Sequence, residues 1–270
     1  MTLLKIFLAV KLVFVGAGRL ATQLAKALHG QGHTVEAVYS RTMASAQALC
    51  TRVGGKPTDD IAELPLRADA FIVAVKDSVV PQLIPQLAAG REEQPMFHTA
   101  GSMPMSVLGS LRHHGVIYPM QTFSKNRDVD FSLIPVFIEA STSKALSVAQ
   151  MVARAVSTRV YELDSERRRH LHLAAVFACN FANHCYALAA DILERHGLPF
   201  DVMLPLIEET AQKVATMHPR DAQTGPAVRY DENVLAAQLQ LLAGQPLAQE
   251  VYSLMSRSIH HYQNTPHNYD

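Results

Sequence analysis

The chain has 270 residues, 49% hydrophobic and 18% charged, enough for one large or two modest soluble domains with sizeable cores. Its 24 basic and 24 acidic residues cancel, so the charge balance gives no reason to expect nucleic acid or an anionic membrane surface as a partner. Three cysteines, Cys50, Cys179 and Cys185, form no CxxC pair and are odd in number; they read as reduced, mostly buried thiols of a cytoplasmic protein.

The opening MTLLKIFLAVKLVFVGAG has the look of a signal peptide, but Lys11 interrupts the apolar run and no small-residue cleavage site follows. No later segment is expected to reach the length of a transmembrane helix. Leu12 to Val15 is a short apolar run rich in β-branched residues, the pattern of a strand buried on both faces. It leads into Gly16-Ala17-Gly18-Arg19-Leu20-Ala21, and then into a helical pattern on which Leu20, Leu24, Ala27 and Leu28 share a face. Strand, glycine turn and helix form a dinucleotide fingerprint. Gly16 permits the tight turn, Gly18 lets a pyrophosphate approach the backbone at the helix N-terminus, and Ala21 is small enough for close helix–strand packing.

Thr34 to Tyr39 is the second expected strand, and Ala44 to Arg52 a helix stopped by Gly54-Gly55. Ala70 to Val75 is another buried strand, with a helix from about Val79 to Ala89. Met96 to Thr99 and Val116 to Tyr118 read as strands separated by a helix near Met105 to Leu111. Ile134 to Glu139 is the last strand candidate, and Ser141 is the expected cap of a helix running to about Ser157. Alternating strands and helices imply an α/β fold, a Rossmann-type doubly wound parallel sheet.

After Tyr161 the pattern becomes all-α. Ser165 to His196 is one long helical stretch with Asp164 or Ser165 as its cap, ended by Gly197 and Pro199. Asp201 to Met217, Asp231 to Ala243 and Pro246 to His261 follow as helices, and the closing NTPHNYD reads as frayed. The expected domains are therefore 1–163, a dinucleotide-binding Rossmann domain, and 164–270, a helical domain.

The cofactor is read from the end of the second strand. NAD-binding folds place a carboxylate there, about 20 residues past the glycines, to hold the ribose 2′-hydroxyl. Here the strand ends Tyr39-Ser40-Arg41-Thr42, and Glu36 lies too early. Arg41, flanked by the hydroxyls of Ser40 and Thr42, suits a 2′-phosphate, which points to NADP(H). In the alternative, the hydroxyls only cap the next helix and Arg41 is solvated, which leaves the missing acid unexplained. The expected cofactor contacts are Gly16, Ala17, Gly18, Arg19 and Leu20, then Ser40, Arg41 and Thr42. Val75 and Lys76 join them after the AFIVAV strand, and Thr99, Ala100 and Gly101 after His98. Lys76 reads equally as a ribose, phosphate or carboxylate contact and as a surface lysine. His98, at a strand end, reads as a proton donor near the nicotinamide or as a satisfied structural histidine.

GAGRLATQLAKAL, SRT, AVKDS, HTAGS, YPMQTFS, LHLAAVFACNFANH and QTGPAVRYDEN together resemble a group of bacterial candidate NADP oxidoreductases. These pair a Rossmann-like domain with a helical C-terminal domain of uncharacterised function. The match runs from about Leu12 to His261. More distantly, the layout is similar to pyrroline-5-carboxylate reductase, deazaflavin-dependent NADP reductase and 6-phosphogluconate dehydrogenase. The resemblance implies an active site completed by the helical domain, and a dimer formed through it. It implies no particular substrate.

At about 100° per residue, His172, Asn180 and Asn183 fall on one face of the long helix, while His170 and His184 point further round. That stripe either lines a cleft, with His172 donating a proton and the amides holding a substrate, or belongs to a buried or interfacial polar network. Gln121 and Thr122 follow a strand and are expected to border the same cleft. Thr224 with Arg229 forms a candidate anion site, or a purely structural turn. Thirteen histidines show no HExxH or Cys-rich spacing, so no metal is expected. The weakly charged helices, including the Val234, Leu235, Gln238 and Leu242 face, point to a homodimer. Two functions are expected to compete: an NADPH-dependent oxidoreductase acting on a small, anionic carbonyl or imine compound in an interdomain cleft, and a non-catalytic NADP(H) sensor or scaffold.

Overall fold

In the first strand, β1 (Lys11–Val15), Leu12, Val13, Phe14 and Val15 are all fully buried. Alternation sends Leu12 and Phe14 into one hydrophobic layer and Val13 and Val15 into the other, so both faces of the strand are covered. Each such side chain contributes about 1.5–3 kcal/mol on burial. A computed structural model describes residues 9–124 and 127–265. The leader question falls largely on residues 1–8 and the frayed tail on 266–270, outside the described residues.

The strands are β1, β2 (Thr34–Tyr39), β3 (Lys56–Thr58), β4 (Ala70–Val73), β5 (Met96–His98), β6 (His114–Pro119), β7 (Val136–Ala140) and β8 (Val160–Glu162). They form one sheet in the order β3-β2-β1-β4-β5-β6-β7-β8. The order reverses between β1 and β4, the switch point at which such sheets bind ligands. The pairing is parallel except between β6 and β7. The expectation of a wholly parallel sheet is corrected there. Among the described residues no α-helix crosses over between β6 and β7, and the chain returns antiparallel. Sequence periodicity also fails to reveal β3 and β8, two three-residue edge strands too short to show a period.

One layer is built from α1 (Arg19–Gly30), α2 (Met43–Val53) and α4 (Ser143–Val156), whose buried residues pack with Leu12, Phe14, Ala70 and Ile72. The other contains α3 (Val80–Ala88), packed with Val13, Val15, Phe71 and Val73. Thr142 caps α4, its hydroxyl accepting the Ala145 N–H at 3.2 Å. Ser141, the expected cap, instead accepts the His114 N–H and donates to the Arg112 carbonyl. The helix expected near Met105 is a single 3-10 turn, Met105–Leu108, ended by Gly109.

Asp164 caps the long helical stretch by accepting the Arg167 N–H at 2.8 Å. The stretch comprises α5 (Ser165–Ala175), a π turn (Val176–Phe181) and α6 (Ala182–Arg195). Taken together, Ser165–Arg195 is long and apolar enough to cross a membrane by length and composition, which corrects the expectation that no segment is. The chain divides into two compact units, one through Asn180 and one from Phe181. The division falls inside the π turn; the expected change at 163/164 follows the end of the sheet. The second unit contains α6, α7 (Leu204–Thr216), α8 (Pro226–Arg229), α9 (Glu232–Leu241) and α10 (Pro246–Asn264). Of the cysteines only Cys50 is buried, while Cys179 is half-buried and Cys185 exposed, so the expectation of mostly buried thiols is corrected.

Candidate active site in the Rossmann-like unit

Gly16 takes φ +119°, and a Cβ there would meet the Ala74 carbonyl oxygen at 2.4 Å. Its N–H donates to the Tyr39 carbonyl at 2.7 Å, which closes the turn against β2. At Gly18, by contrast, a Cβ would meet nothing nearer than 3.9 Å, so its bare backbone leaves room for a ligand rather than for packing. Gly18 is the N-cap of α1 and offers no side-chain cap, so the first-turn N–H groups of α1 have no side-chain acceptor. A cleft of about 420 Å³ opens at this point, lined by Gly16, Ala17 and Gly18, by Tyr39 to Thr42, by Ser45, and by Ala74, Val75 and Lys76.

Two cations, Arg41 and Lys76, and no carboxylate line that cleft. Glu36 is taken up by Lys11 at 3.0 Å, away from it. Thr42 donates its hydroxyl to Ser45 Oγ at 2.9 Å. Ser45 is a lining residue that the sequence pattern does not single out; its position three residues past Thr42, in the first turn of α2, is the signal that could have found it. A positive, hydroxyl-rich pocket at a helix start is chemically suited to an anion. Arg19 opens α1 and is exposed, and Leu20 packs partly against the core behind the turn. The structure thus gathers Gly16, Ala17, Gly18, Ser40, Arg41, Thr42, Val75 and Lys76 around one cleft, but not Arg19 or Leu20.

A second polar cluster stands at the carboxyl ends of β5 and β6. Tyr118, near the end of β6, places its Oη 3.1 Å from His172 Nδ1, with the rings edge-on at 6.0 Å. Gly101 lies beneath both: a Cβ there would come within 2.6 Å of His172 Nδ1 and 2.9 Å of the Tyr118 ring. Ser102 donates its hydroxyl to the Asp77 carboxylate, tying the turn after β5 to the turn after β4. Thr99 is buried against the Val73 carbonyl, and Ala100 is half-buried. His172, half-buried, is therefore brought to the sheet edge that also carries the glycine turn.

Behind that pair sits an ion pair whose arginine is fully enclosed and whose carboxylate is half-buried. Arg168 is fully buried; it donates to the Glu139 carboxylate, to the Met103 carbonyl and to Ser165 Oγ. Ser165 donates in turn to Glu139 at 2.7 Å and accepts the Met105 N–H at 2.8 Å. Sequence reasoning misses Tyr118, Arg168 and Glu139 as site residues. Arg168 sits in the polar run Glu166 to His170, which reads as a solvated face. Its spacing of four from His172, which places both on one side of α5, is the available clue.

His98 does not line the cleft. It is fully buried, its Nδ1 accepts the Ala100 N–H at 3.2 Å, and burial followed by the nearby Arg168 cation lowers its pKa to about 4. The Pro104 carbonyl and the carboxylates of Asp77 and Glu139 oppose that shift, but Nε2 makes no hydrogen bond of normal geometry. Enclosed in this way, the imidazole favours its neutral form and holds the turn after β5. The π turn, Val176–Phe181, interrupts the constant 100° period on which the common face of His172, Asn180 and Asn183 is read. Asn180 and Asn183 are both exposed. Gln121 and Thr122 border a separate hollow of about 340 Å³ with Arg127 to Asp130, Leu133 and Ile134, not the glycine-turn cleft, and Gln121 Oε1 accepts the Thr122 N–H. Thr224 and Arg229 belong to the second unit, both exposed, beside and at the end of α8.

Residues 7–122 match a Rossmann-like domain, and residues 134–259 match a domain of unknown function, DUF2520. A crystal structure of a candidate NADP oxidoreductase from Bacteroides fragilis is 53% identical in sequence, with a TM-score of 0.90, over 94% of this chain and 98% of that one. The chain belongs to this Rossmann–DUF2520 family. The fold of the Rossmann–DUF2520 protein is also that of an imine reductase from Myxococcus stipitatus solved with NADP+, at TM-score 0.67 and 18% identity over 93% of each chain. Glutamyl-tRNA reductase of Legionella pneumophila is 26% identical over 200 residues, 72% of this chain. The chain spans 44% of the length of that curated relative.

Proposed function

We propose that this protein is an NADPH-dependent oxidoreductase that reduces a small, anionic carbonyl or imine compound, with His172 as the proton donor. The observation that carries the proposal is His172 standing on Gly101 and Tyr118 at the carboxyl edge of the sheet whose switch point holds the acid-free cleft. The residues fit the cofactor. The glycine turn and the uncapped start of α1 suit a pyrophosphate, Arg41 with Ser40, Thr42 and Ser45 suits a 2′-phosphate, and Lys76 adds a second cation. NADPH, when bound, supplies the hydride.

The chain's own part is to bind, orient and move a proton. Thr99, Ala100 and Gly101 offer a turn of small residues at the end of β5, close enough to His172 that no side chain fits between. His172 Nε2 has no partner among the described residues and stands ready for a substrate atom.

We further propose a cytoplasmic homodimer. Leu173, Phe177, Phe181 and Ile192 on the long helical stretch are more than 40% exposed. The same stretch carries His170, His172, Asn180, Asn183 and His184, which a bilayer interior would leave costly, so a second chain suits it better than lipid. The test is NADPH consumption against keto acids, imines and oxidised deazaflavin. Turnover of one class, lost in His172→Ala, is expected; tight NADPH binding with no turnover in any class favours the sensor function instead.

A further inference from the structure

Tyr118 is 8% exposed, and its oxygen has one hydrogen-bond partner among the described residues, His172 Nδ1. Burial raises the Tyr118 pKa, against the pull of the Arg168 cation, so the phenol keeps its proton at neutral pH. That proton needs an acceptor, and Nδ1 is the acceptor at hand. Were Nδ1 to carry the ring proton, it would donate to the phenol oxygen and strand the phenol's own proton in a buried place. The phenol therefore donates to Nδ1, and the ring proton resides on Nε2, the atom without a protein partner.

Distance alone does not hold such an assignment; the ring must be kept in place. Arg168 precedes His172 by one helical turn on the same side of α5. Its guanidinium joins Glu139 of β7 to the Met103 carbonyl, two residues past the Gly101 that supports the ring. Glu139 pairs in register with Val116, two residues before Tyr118 on β6. The same ion pair thus fixes the helix, the turn and the strand that meet at His172. We propose that Tyr118 and the Arg168–Glu139 pair are positioning residues for His172: Tyr118 sets its tautomer with the proton on Nε2, and the ion pair sets where α5 lays the ring. This rests on His172 being the proton donor: the Nε2 proton goes to the substrate, the Tyr118 phenol proton passes to Nδ1 so that the ring stays neutral, and the charge is left on Tyr118 near the Arg168 cation until solvent returns the proton.

The test needs no substrate. Nitrogen-resolved NMR of the histidine rings in the full-length protein, with His172 assigned through His172→Gln, reads the tautomer at mildly alkaline pH. One protonated Nε2 and one bare Nδ1 are expected for His172. Tyr118→Phe is expected to collapse the two resonances towards an average, and Arg168→Met to do the same while the circular dichroism spectrum is kept. A proton on Nδ1 in the wild type, or an unchanged pattern in Tyr118→Phe, overturns the tautomer half. An unchanged pattern in a folded Arg168→Met overturns the ion-pair half. Should Arg168→Met not fold, Arg168→Lys decides. It keeps the charge but cannot grip Glu139 and the Met103 carbonyl together, so an intermediate pattern is expected and a wild-type one overturns the claim. Failure of the donor reading looks different: the tautomer collapses in Tyr118→Phe while turnover by His172→Ala stays at the wild-type rate.

Discussion

The unit through Asn180 hides both faces of an eight-stranded sheet, whereas the unit from Phe181 leaves most of its apolar surface in water. Among the described residues of the second unit only Ala227, Leu242 and Ser256 are buried, and Leu206, Leu241, Leu247 and Leu254 are each more than 60% exposed. The contrast is one of self-sufficiency. Strands such as β1 and β4 are covered by the chain's own helices, and the resulting core supports buried polar groups such as His98 and Arg168. Helices α7, α9 and α10 have apolar stripes with too little of their own chain to cover them, and short helices in water draw most of their stability from such cover.

The most damaging way to attack that contrast is to charge the exposed stripe. Leu241→Asp with Leu254→Asp is expected to halve the mass seen by light scattering at micromolar concentration and to lower the helical signal. If the proposed dimer buries both leucines of each chain, four side chains at about 1.5–3 kcal/mol each put roughly 6–12 kcal/mol at stake. A wild-type protein that already runs as a single chain would remove the dimer.

Next in size is His172→Ala, which acts on the self-sufficient unit. If the chemistry resides there, turnover should fall by about 10²–10⁴-fold, the scale for a lost general acid, while NADPH affinity measured by calorimetry barely moves. A parallel loss of NADPH binding would mean that the ring supports the fold of the cleft and not the reaction.

The difference between the units also explains what is legible in the sequence. The glycine turn, β1, β2 and β4 announce themselves because local period and local backbone need coincide there: the buried positions of these strands are apolar, and Gly16 tolerates an approach of the Ala74 carbonyl that a Cβ would block. Arg41 is legible because a missing acid is itself a local fact. The Tyr118–His172 pair is half legible; His172 stands out as a polar residue on an apolar helix, but its partner lies 54 positions away on β6. Arg168 and Glu139 are barely legible, since in a polar run only the spacing of four from His172 marks the arginine that turns inward, and nothing local marks Glu139. The π turn is not legible, because a face read at a constant 100° per residue takes no account of it.

His98 sharpens the contrast through pH. Its folded pKa of about 4 lies below the ordinary histidine value of roughly 6.5, so between these limits the unfolded chain binds a proton that the native unit refuses. Stability from this residue is complete above about pH 6.5 and is lost as the pH falls towards 4, by about 3 kcal/mol in all. Urea unfolding followed at neutral and at mildly acid pH should show the slope in the wild type. His98→Asn should flatten it, while carboxylates such as Glu63 and Asp128, whose pKa values are also lowered, contribute equally to both proteins and cancel in the difference. An identical slope in the variant would place the acid sensitivity elsewhere.

The smallest effect expected is the most selective. The cleft of the first unit is lined by Arg41 and Lys76 with no carboxylate, and Glu36 is held by Lys11. Such a lining repels nothing in a 2′-phosphate and offers nothing special to a 2′-hydroxyl, so discrimination between NADPH and NADH should rest on Arg41 with its hydroxyl neighbours Ser40, Thr42 and Ser45. Removing the guanidinium takes away charge-assisted hydrogen bonds and leaves the glycine turn untouched. Arg41→Ala should therefore weaken NADPH by about 1–3 kcal/mol, roughly 5- to 150-fold in Kd, and change NADH little. The NADPH loss should shrink as salt is raised, since an exposed cation is screened. Calorimetry with both cofactors decides: equal losses would mean that Arg41 shapes the α2 start rather than reading the phosphate, and the preference would have to come from Lys76.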